Sequence, residues 1–595
     1  MAPMRETEYW QRTDTFEQKL DLLRAASERR DFRLARALTE SLKNTLVFAQ
    51  QEEESLGVPL LQANVFGRVA ELPAPWQEWA RGWLYYKVLA LDETAAIART
   101  GEPVELVAAF RADQAESLAR EVRVARIDPA KGDLREVPCQ VSSELRRGAE
   151  LMCRLVLLVD SPAHARTTYL VLYGNPDAEL TDYPTDLRVS GEGYALDIEN
   201  DYFRASLSRQ MGQLERLTLK REHGLELFAG GEGHGEPPGI DWAHDYVTAN
   251  NFQKMRITNW AKCPDYEVIH GPLCTTVRRW GFPHSPIHPV FSPSRIHIHV
   301  EYRFYAGTPY FVKQGTMEVI KDLDITYLRD DEWVFSGYSF TDMLWMGPDG
   351  KLREGPVDAA QQENLWAVGF FHRASRDAFI GLFLEHDAEN MPPLKHTGAP
   401  ILNYRWHGPV WSRALYQNAS LRAGGVLKQK NAYLVLPFAE QHGAEIVERY
   451  RHGLLNPLSP SVADLPSVLR PARGTGRLAR PGEAGDAAVD KRRIWDALRD
   501  CKDEQLYTAN ASVVDLGLIY DVRVQGDVVR VVMAMPDRGR PRYGYFAWGS
   551  GGNSQPIRQR LMKIPGVRDV VIEQTWEPPW NSSRLTDAGR KTFGL

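Results

Sequence analysis

The sequence predicts a multidomain, mainly β chain, and three observations lead there. The chain has 595 residues, enough for several domains at roughly one per 150 residues. Arg295–Tyr305 alternates strictly, with Arg295, His297, His299, Glu301, Arg303 and Tyr305 at one parity and Ile296, Ile298, Val300, Tyr302 and Phe304 at the other. Period two marks a half-buried strand, with one apolar face for a core and one polar face. Short alternating runs broken by turn residues fill most of the chain before a helix–strand texture takes over near residue 490.

Residues 1–60 read as a helical hairpin. Phe16, Leu20 and Leu23, then Leu34, Leu38, Leu42 and Leu46, recur at helical spacing, with Arg29-Arg30-Asp31 between the runs. From 61 to 185 come the runs around Val104–Phe110, Val122–Ile127, Leu155–Val159 and Thr168–Tyr173, divided by Pro129, Gly132, Pro162 and Gly174-Asn175-Pro176. That texture predicts a β-sandwich. Longer strands follow from 186 to 455, at Tyr194–Ile198, Tyr202–Leu207, Arg295–Tyr305, Phe311–Ile320, Ala378–Glu385 and Ala432–Pro437. This is too much sheet for a small barrel and predicts one large multi-sheet domain. Residues 456–489 are rich in Pro, Gly, Ala and Arg and read as a linker. From 490 to 595 a helix at 490–501, strands around 519–524 and 528–534, a helix at 555–563 and a strand at 569–574 predict a small α/β domain.

Composition narrows the partners. Hydrophobic content of 43% and charged content of 25% are ordinary for a globular protein. A net charge of -6 argues against nucleic acid as the main partner. No apolar run has the length a bilayer requires, and the amino terminus has no apolar signal core. Cys139, Cys153, Cys263, Cys274 and Cys501 are scattered, which fits reduced thiols in a cytoplasmic protein. The chain carries 16 Trp and 23 Tyr, many in polar company. Rings with a flat apolar face and a wet rim suit a saccharide, although aromatics equally build β-sandwich cores.

Val514-Asp-Leu-Gly-Leu-Ile-Tyr-Asp-Val522, Ile564-Pro-Gly-Val567 and Trp576-Glu-Pro-Pro-Trp580 resemble the metal–sulfur cluster assembly family, which includes PaaD. The resemblance implies a small α/β domain over about 100 residues. That family usually carries a cysteine after the second long strand; here Met535–Pro541 and the inserted Tyr543–Ser550 hold none. Thiolates hold iron–sulfur clusters, so no cluster is expected, and docking or oligomerisation is expected instead. The loop Gly549–Ser554 ahead of a helix reads as a flexible turn or an anion cradle. A looser resemblance covers roughly 95–455. Leu196-Asp-Ile-Glu-Asn-Asp-Tyr-Phe and Met211-Gly-Gln-Leu-Glu-Arg-Leu217 are similar to strands of α-mannosidase carboxy-terminal domains and the galactose-mutarotase-like supersandwich. It implies a β-supersandwich whose concave face handles saccharides. No separate catalytic barrel is present, so a mannosidase is not expected.

Candidate chemistry centres on the 295–305 strand. Imidazole and carboxylate on one face suit metal binding or acid–base work, and the alternative is a charge-paired, solvated face. Histidines 284, 288, 297 and 299 cluster here. His297 and His299 are the candidate ligands of a divalent metal, with a third donor from His244, His386, His407 or Glu385. Without metal, β-elimination or hydrolysis would draw on His299, Glu301, Arg303 and Tyr305, with His244, Tyr246, Tyr404 and His407. Asn250, Asn251, Trp260, Trp280, Arg405 and Trp406 are the candidate substrate contacts. A glycosidase would need two carboxylates about 5–10 Å apart, from Glu301, Glu385, Asp387 and Asp342. The leading expectation is a carbohydrate-active lyase or hydrolase cleaving a glycoside or uronate-containing oligosaccharide, with a small saccharide or glycoside as partner, neither nucleic acid nor membrane, and a homo-oligomer left open. Two alternatives stand beside it: a non-catalytic saccharide- or protein-binding scaffold, and, by the company PaaD-like domains keep, a metal-dependent enzyme of aromatic-compound breakdown.

Overall fold

The computed structural model describes chiefly residues 16–32, 59–209, 212–228, 265–281, 296–334, 341–357, 365–394, 408–463, 491–502, 511–534 and 557–593, with small gaps, and a few short strands elsewhere. The fold is mainly β and multidomain, and the chain divides into two compact units, Met1–Arg470 and Pro471–Leu595. No helix among the described residues is long and apolar enough to cross a membrane.

In the first unit, residues 61–173 make two facing sheets. Arg99–Arg111, Glu150–Ser161 and Cys139–Arg147 form one, in that hydrogen-bonded order; Tyr85–Asp92, Arg166–Tyr173, Arg123–Ile127 and Leu134–Val137 build the core of the other. Leu89, Leu106, Phe110, Leu155, Val171 and Tyr173 fill the space between them. One expectation is corrected here. Residues 459–462 do not behave as linker: Ser459–Val462 pairs antiparallel with Tyr85–Asp92, and Leu458 is buried in the sandwich core. The preceding helix Gly443–Leu455 brings the chain back, and its carboxy-terminal end is tied down by buried Arg99. That guanidinium donates to the carbonyls of Gly453 at 3.2 Å and Asn456 at 2.6 Å. A cation at this end of a helix satisfies carbonyls that no backbone donor reaches.

Beyond 186 a ten-stranded sheet dominates. Its order runs Trp10–Arg12, Asp265–His270, Cys274–Gly281, Ile296–Tyr305, Tyr310–Val319, Val426–Pro437, Asp377–Glu389, Ala367–Phe371, Asp342–Met346, Leu352–Glu354. The strand Trp10–Arg12, which the sequence did not announce, caps one edge. Of the expected hairpin, Phe16–Glu28 is a helix and Leu34, Leu38 and Leu42 of the second run are helical, while Leu46 lies outside the described residues. A five-stranded sheet from residues 188–228 and a six-stranded sheet containing Leu323–Val334 and Gly408–Leu421 share one core with it. The second unit has a three-stranded sheet, Ile519–Gln525 antiparallel to Val528–Ala534 and the latter parallel to Asp569–Thr575, with the helices Lys491–Arg499, Ile557–Leu561 and Asp587–Phe593.

Candidate functional site

Strand Ile296–Tyr305 lies inside the ten-stranded sheet, paired on both sides. Its apolar parity does as its sequence asks: Ile296, Ile298, Val300, Tyr302 and Phe304 are buried against Leu196, Phe203 and Leu217 of the five-stranded sheet. Each such side chain contributes roughly 1.5–3 kcal/mol. The polar parity is the surprise. Opposed residues of antiparallel strands share a face, so the register sets out this face in rows across the sheet. One row reads Glu267, Arg278, Glu301, Gln314, Lys430, Glu385. The next reads Trp280, His299, Thr316, Lys428, Asp387.

The inner part of this face is closed by the sandwich domain. Glu105, on strand Arg99–Arg111, accepts hydrogen bonds from the Arg303 guanidinium and, at 2.5 Å, from the Tyr305 hydroxyl. Arg303 also donates to Glu301, which accepts from Arg278 Nε at 2.5 Å and Gln314 Nε2 at 2.8 Å. Arg278 Nη1 reaches Glu267 at 2.9 Å. The result is a buried ladder, Glu105–Arg303–Glu301–Arg278–Glu267, between the ten-stranded sheet and the strand Arg99–Arg111. Gln140 seals it, accepting from the backbone N–H groups of Leu273 and Cys274 and donating to the Cys274 carbonyl. Beside it, Val156 and Leu158 of the sandwich pack with Tyr305, Tyr310 and Leu434.

The ladder fixes the protonation of Glu301 and Tyr305. Burial raises the Glu301 carboxyl pKa, but Arg303 and Arg278 outweigh it and hold the group far below the usual carboxylate range. Burial, with the Glu105 charge, pushes the Tyr305 phenol far above its ordinary value. Glu301 is thus a fixed anion and Tyr305 a fixed donor. Glu301, Arg303 and Tyr305, expected as catalytic groups, here tie the ten-stranded sheet to the facing sheets of residues 61–173 through their bonds to Glu105, Arg278 and Gln314.

His297 and His299 lie beyond the ladder. His297 is 0% exposed, and burial first, then His299, brings its pKa down to about 3. His299 is half-buried, and its pKa falls to about 4: burial dominates, Glu301 opposes, and Arg278, Arg303 and Arg154 reinforce. Both imidazoles are neutral near pH 7. Next to His299, Trp280 is buried, Thr316, Gln314 and Lys430 are half-buried, and Lys428 and Asp387 are exposed. This outer, open part of the polar face is the candidate site.

The remaining candidates fall into three groups. Residues 244, 250, 251, 260 and 405–407 lie outside the described residues, so His244, Asn250, Asn251, Trp260, Arg405, Trp406 and His407 do too, as do His284 and His288. Tyr246 and Tyr404 are placed by backbone alone, in the strands Asp245–Val247 and Leu402–Tyr404 of the six-stranded sheet. Two expected third metal donors are corrected. His386 pairs with Gln429 on the opposite face of the ten-stranded sheet from His299. Glu385 shares the His299 face but lies three strands away, about 14 Å. No group of three metal-ligating side chains occurs among the described residues, so the described residues do not by themselves make a metal centre.

In the second unit the motif residues are structural pins. Asp515 accepts from Ser512 Oγ at 2.7 Å and Thr586 Oγ1 at 3.0 Å, and Trp580 Nε1 donates to the Leu516 carbonyl at 2.8 Å. Cys501 is buried, donates to the Ala497 carbonyl, and burial pushes its thiol up to about 12.

No protein-family model matches the chain. A stretch of 106 residues is 24% identical to the Fe-S protein maturation auxiliary factor YitW of Bacillus subtilis (strain 168), covering 18% of this chain and 94% of that protein. The Fe-S protein maturation auxiliary factor of Porphyromonas gingivalis (strain ATCC BAA-308 / W83) is 29% identical over 85 residues, 14% of this chain and 74% of that protein. Among solved structures, a protein in the glycosyl hydrolase family 38 from Enterococcus faecalis overlaps 70% of this chain and 50% of its own, at 9% identity and a TM-score of 0.40. That score is too low to equate the folds.

Sequence reasoning missed Glu105, Gln140, Glu267 and Arg278. Glu105 is a lone carboxylate in the apolar run Val104–Phe110, the one local signal that could have marked it as paired in the interior; the other three sit in runs of mixed polarity that carry no such mark.

Proposed function

We propose that the chain binds a small saccharide in the cytoplasm, and acts on it, at the outer part of the polar face around Trp280, His299 and Thr316. The supporting observation is the row itself: an indole, a neutral imidazole and a hydroxyl side by side, with Gln314 and Lys430 in the adjacent row. A ring edge with several hydrogen-bonding groups suits a polyhydroxylated ligand. His299 is then the acid–base group of this strand. A neutral imidazole accepts a proton from a carbon acid or from water, and the nearby guanidiniums favour developing negative charge. Lyase and hydrolase chemistry both use such a base, but neither can use Glu301 as a proton carrier while Arg278 and Arg303 hold it ionised. The test is turnover of a panel of glycosides and uronate-containing oligosaccharides by wild type and His299→Asn. A loss of at least tenfold in kcat with unchanged thermal stability supports the reading; wild-type turnover by the variant removes His299 from it.

A second reading concerns the carboxy-terminal unit alone. Its motifs, and the similarity of about 100 residues to Fe-S maturation auxiliary factors, favour a docking module that has lost the thiol chemistry. Cys501, protonated and buried, is poorly suited to hold a cluster.

A further inference from the structure

Gln314 is the one uncharged member of its row, Glu267–Arg278–Glu301–Gln314–Lys430–Glu385. Its carboxamide is not free to turn. Nε2 donates to Glu301 Oε1 at 2.8 Å, and a carboxylate held ionised by Arg278 and Arg303 can only accept. Reversing the amide would set a carbonyl oxygen against that carboxylate. Glu301 therefore decides which end of the amide is which.

The direction of the other end follows. Gln314 is half-buried, as are Thr316 and Glu318 at the next two positions of the same face, while Gly315 and Met317 between them are buried. Gln314 Oε1 accepts from none of the described residues. It is an acceptor of fixed orientation at the rim of the ladder, where the face opens toward His299 and Thr316. Gln314 and His299 are diagonal neighbours on adjacent strands, about 7–8 Å apart. Their side-chain ends lie within reach of one sugar ring.

We propose that Gln314 is a specificity-determining contact of the outer polar face: its Oε1 accepts a hydrogen bond from one particular hydroxyl of the saccharide seated beside His299. This contact presupposes saccharide binding at that face, and it adds a requirement for a donor at one ring position. Fluorine in place of that hydroxyl accepts but does not donate, so two acceptors would meet. A site built to pair one polar group discriminates against an analogue that leaves the group unpaired.

The test is calorimetric titration of the full-length chain with the methyl glycosides of glucose, galactose and mannose and with their monodeoxyfluoro analogues. It is run on wild type, Gln314→Lys, Gln314→Met and His299→Asn. Gln314→Lys keeps a donor to Glu301 but offers no acceptor, so it separates support of the ladder from contact with the ligand. At one ring position, wild type is expected to bind the fluoro analogue at least tenfold more weakly than the parent glycoside. In Gln314→Lys, with thermal stability kept, the parent should fall to the level of that analogue. Gln314→Met, which introduces no charge, should lose the same discrimination. Parent affinity unchanged in both variants overturns the inference, and so does a fluoro penalty that persists in them. If the parent is weakened in His299→Asn but not in the Gln314 variants, saccharide binding at the face stands and only the role of Gln314 falls. If wild type binds none of the glycosides, both fall.

Discussion

At the scale of single residues, the ladder turns a row of seemingly chemical groups into a structural one. Breaking a buried ion pair leaves the partner charge uncompensated, at a cost of about 3–5 kcal/mol. Glu301→Gln removes the carboxylate that Arg278 and Arg303 share, leaving each with one other, Glu267 and Glu105, and is expected to cost up to that much in denaturant unfolding of the first unit. A cost below about 1 kcal/mol would mean the ladder is solvated. The histidines set the acid limit. Their folded pKa values, about 3 and about 4, lie below the ordinary 6.5, so the unfolded chain binds more protons between those values. The stability they support is present above pH 6.5 and lost as pH falls toward 4 and 3. For His299 the loss at pH 4 relative to pH 7 is about 3 kcal/mol. His299→Phe is expected to flatten that part of the stability–pH curve, and an unchanged curve would contradict the burial of the imidazole.

At the scale of elements, Leu458 distinguishes a strand that closes the sandwich from a linker. Leu458→Ala is expected to cost about 2–5 kcal/mol, read as a fall in the melting temperature of the first unit, whereas a linker leucine would cost almost nothing. In the second unit Gly517 has φ +65, and a Cβ there would lie 2.1 Å from the Arg584 carbonyl oxygen. Gly517→Ala is therefore expected to lose more than about 1 kcal/mol, seen as faster amide exchange across 513–534. The strand 296–305 was legible in the sequence because alternation reports burial of one face directly. The fate of its other face was not, because partners such as Glu105 lie some two hundred residues away and no local period records them. The 456–489 segment misled for a similar reason: its composition is that of a linker, while Leu458 and Val462 find their places only through long-range pairing.

At the scale of the whole molecule, the amino-terminal unit has a polar face on its largest sheet, half-buried around His299, with the facing sheets of residues 61–173 clamped across the remainder. The carboxy-terminal unit carries its own core and its own pins, and its thiol, Cys501, is buried. The measurement that bears most directly on the central claim is saturation-transfer NMR from the full-length protein to a pool of neutral and acidic saccharides. Transfer to sugar ring protons is expected with wild type, and its loss is expected for at least one saccharide in His299→Asn. Absence of transfer to every saccharide, or transfer indifferent to His299→Asn, would contradict saccharide binding at the outer polar face.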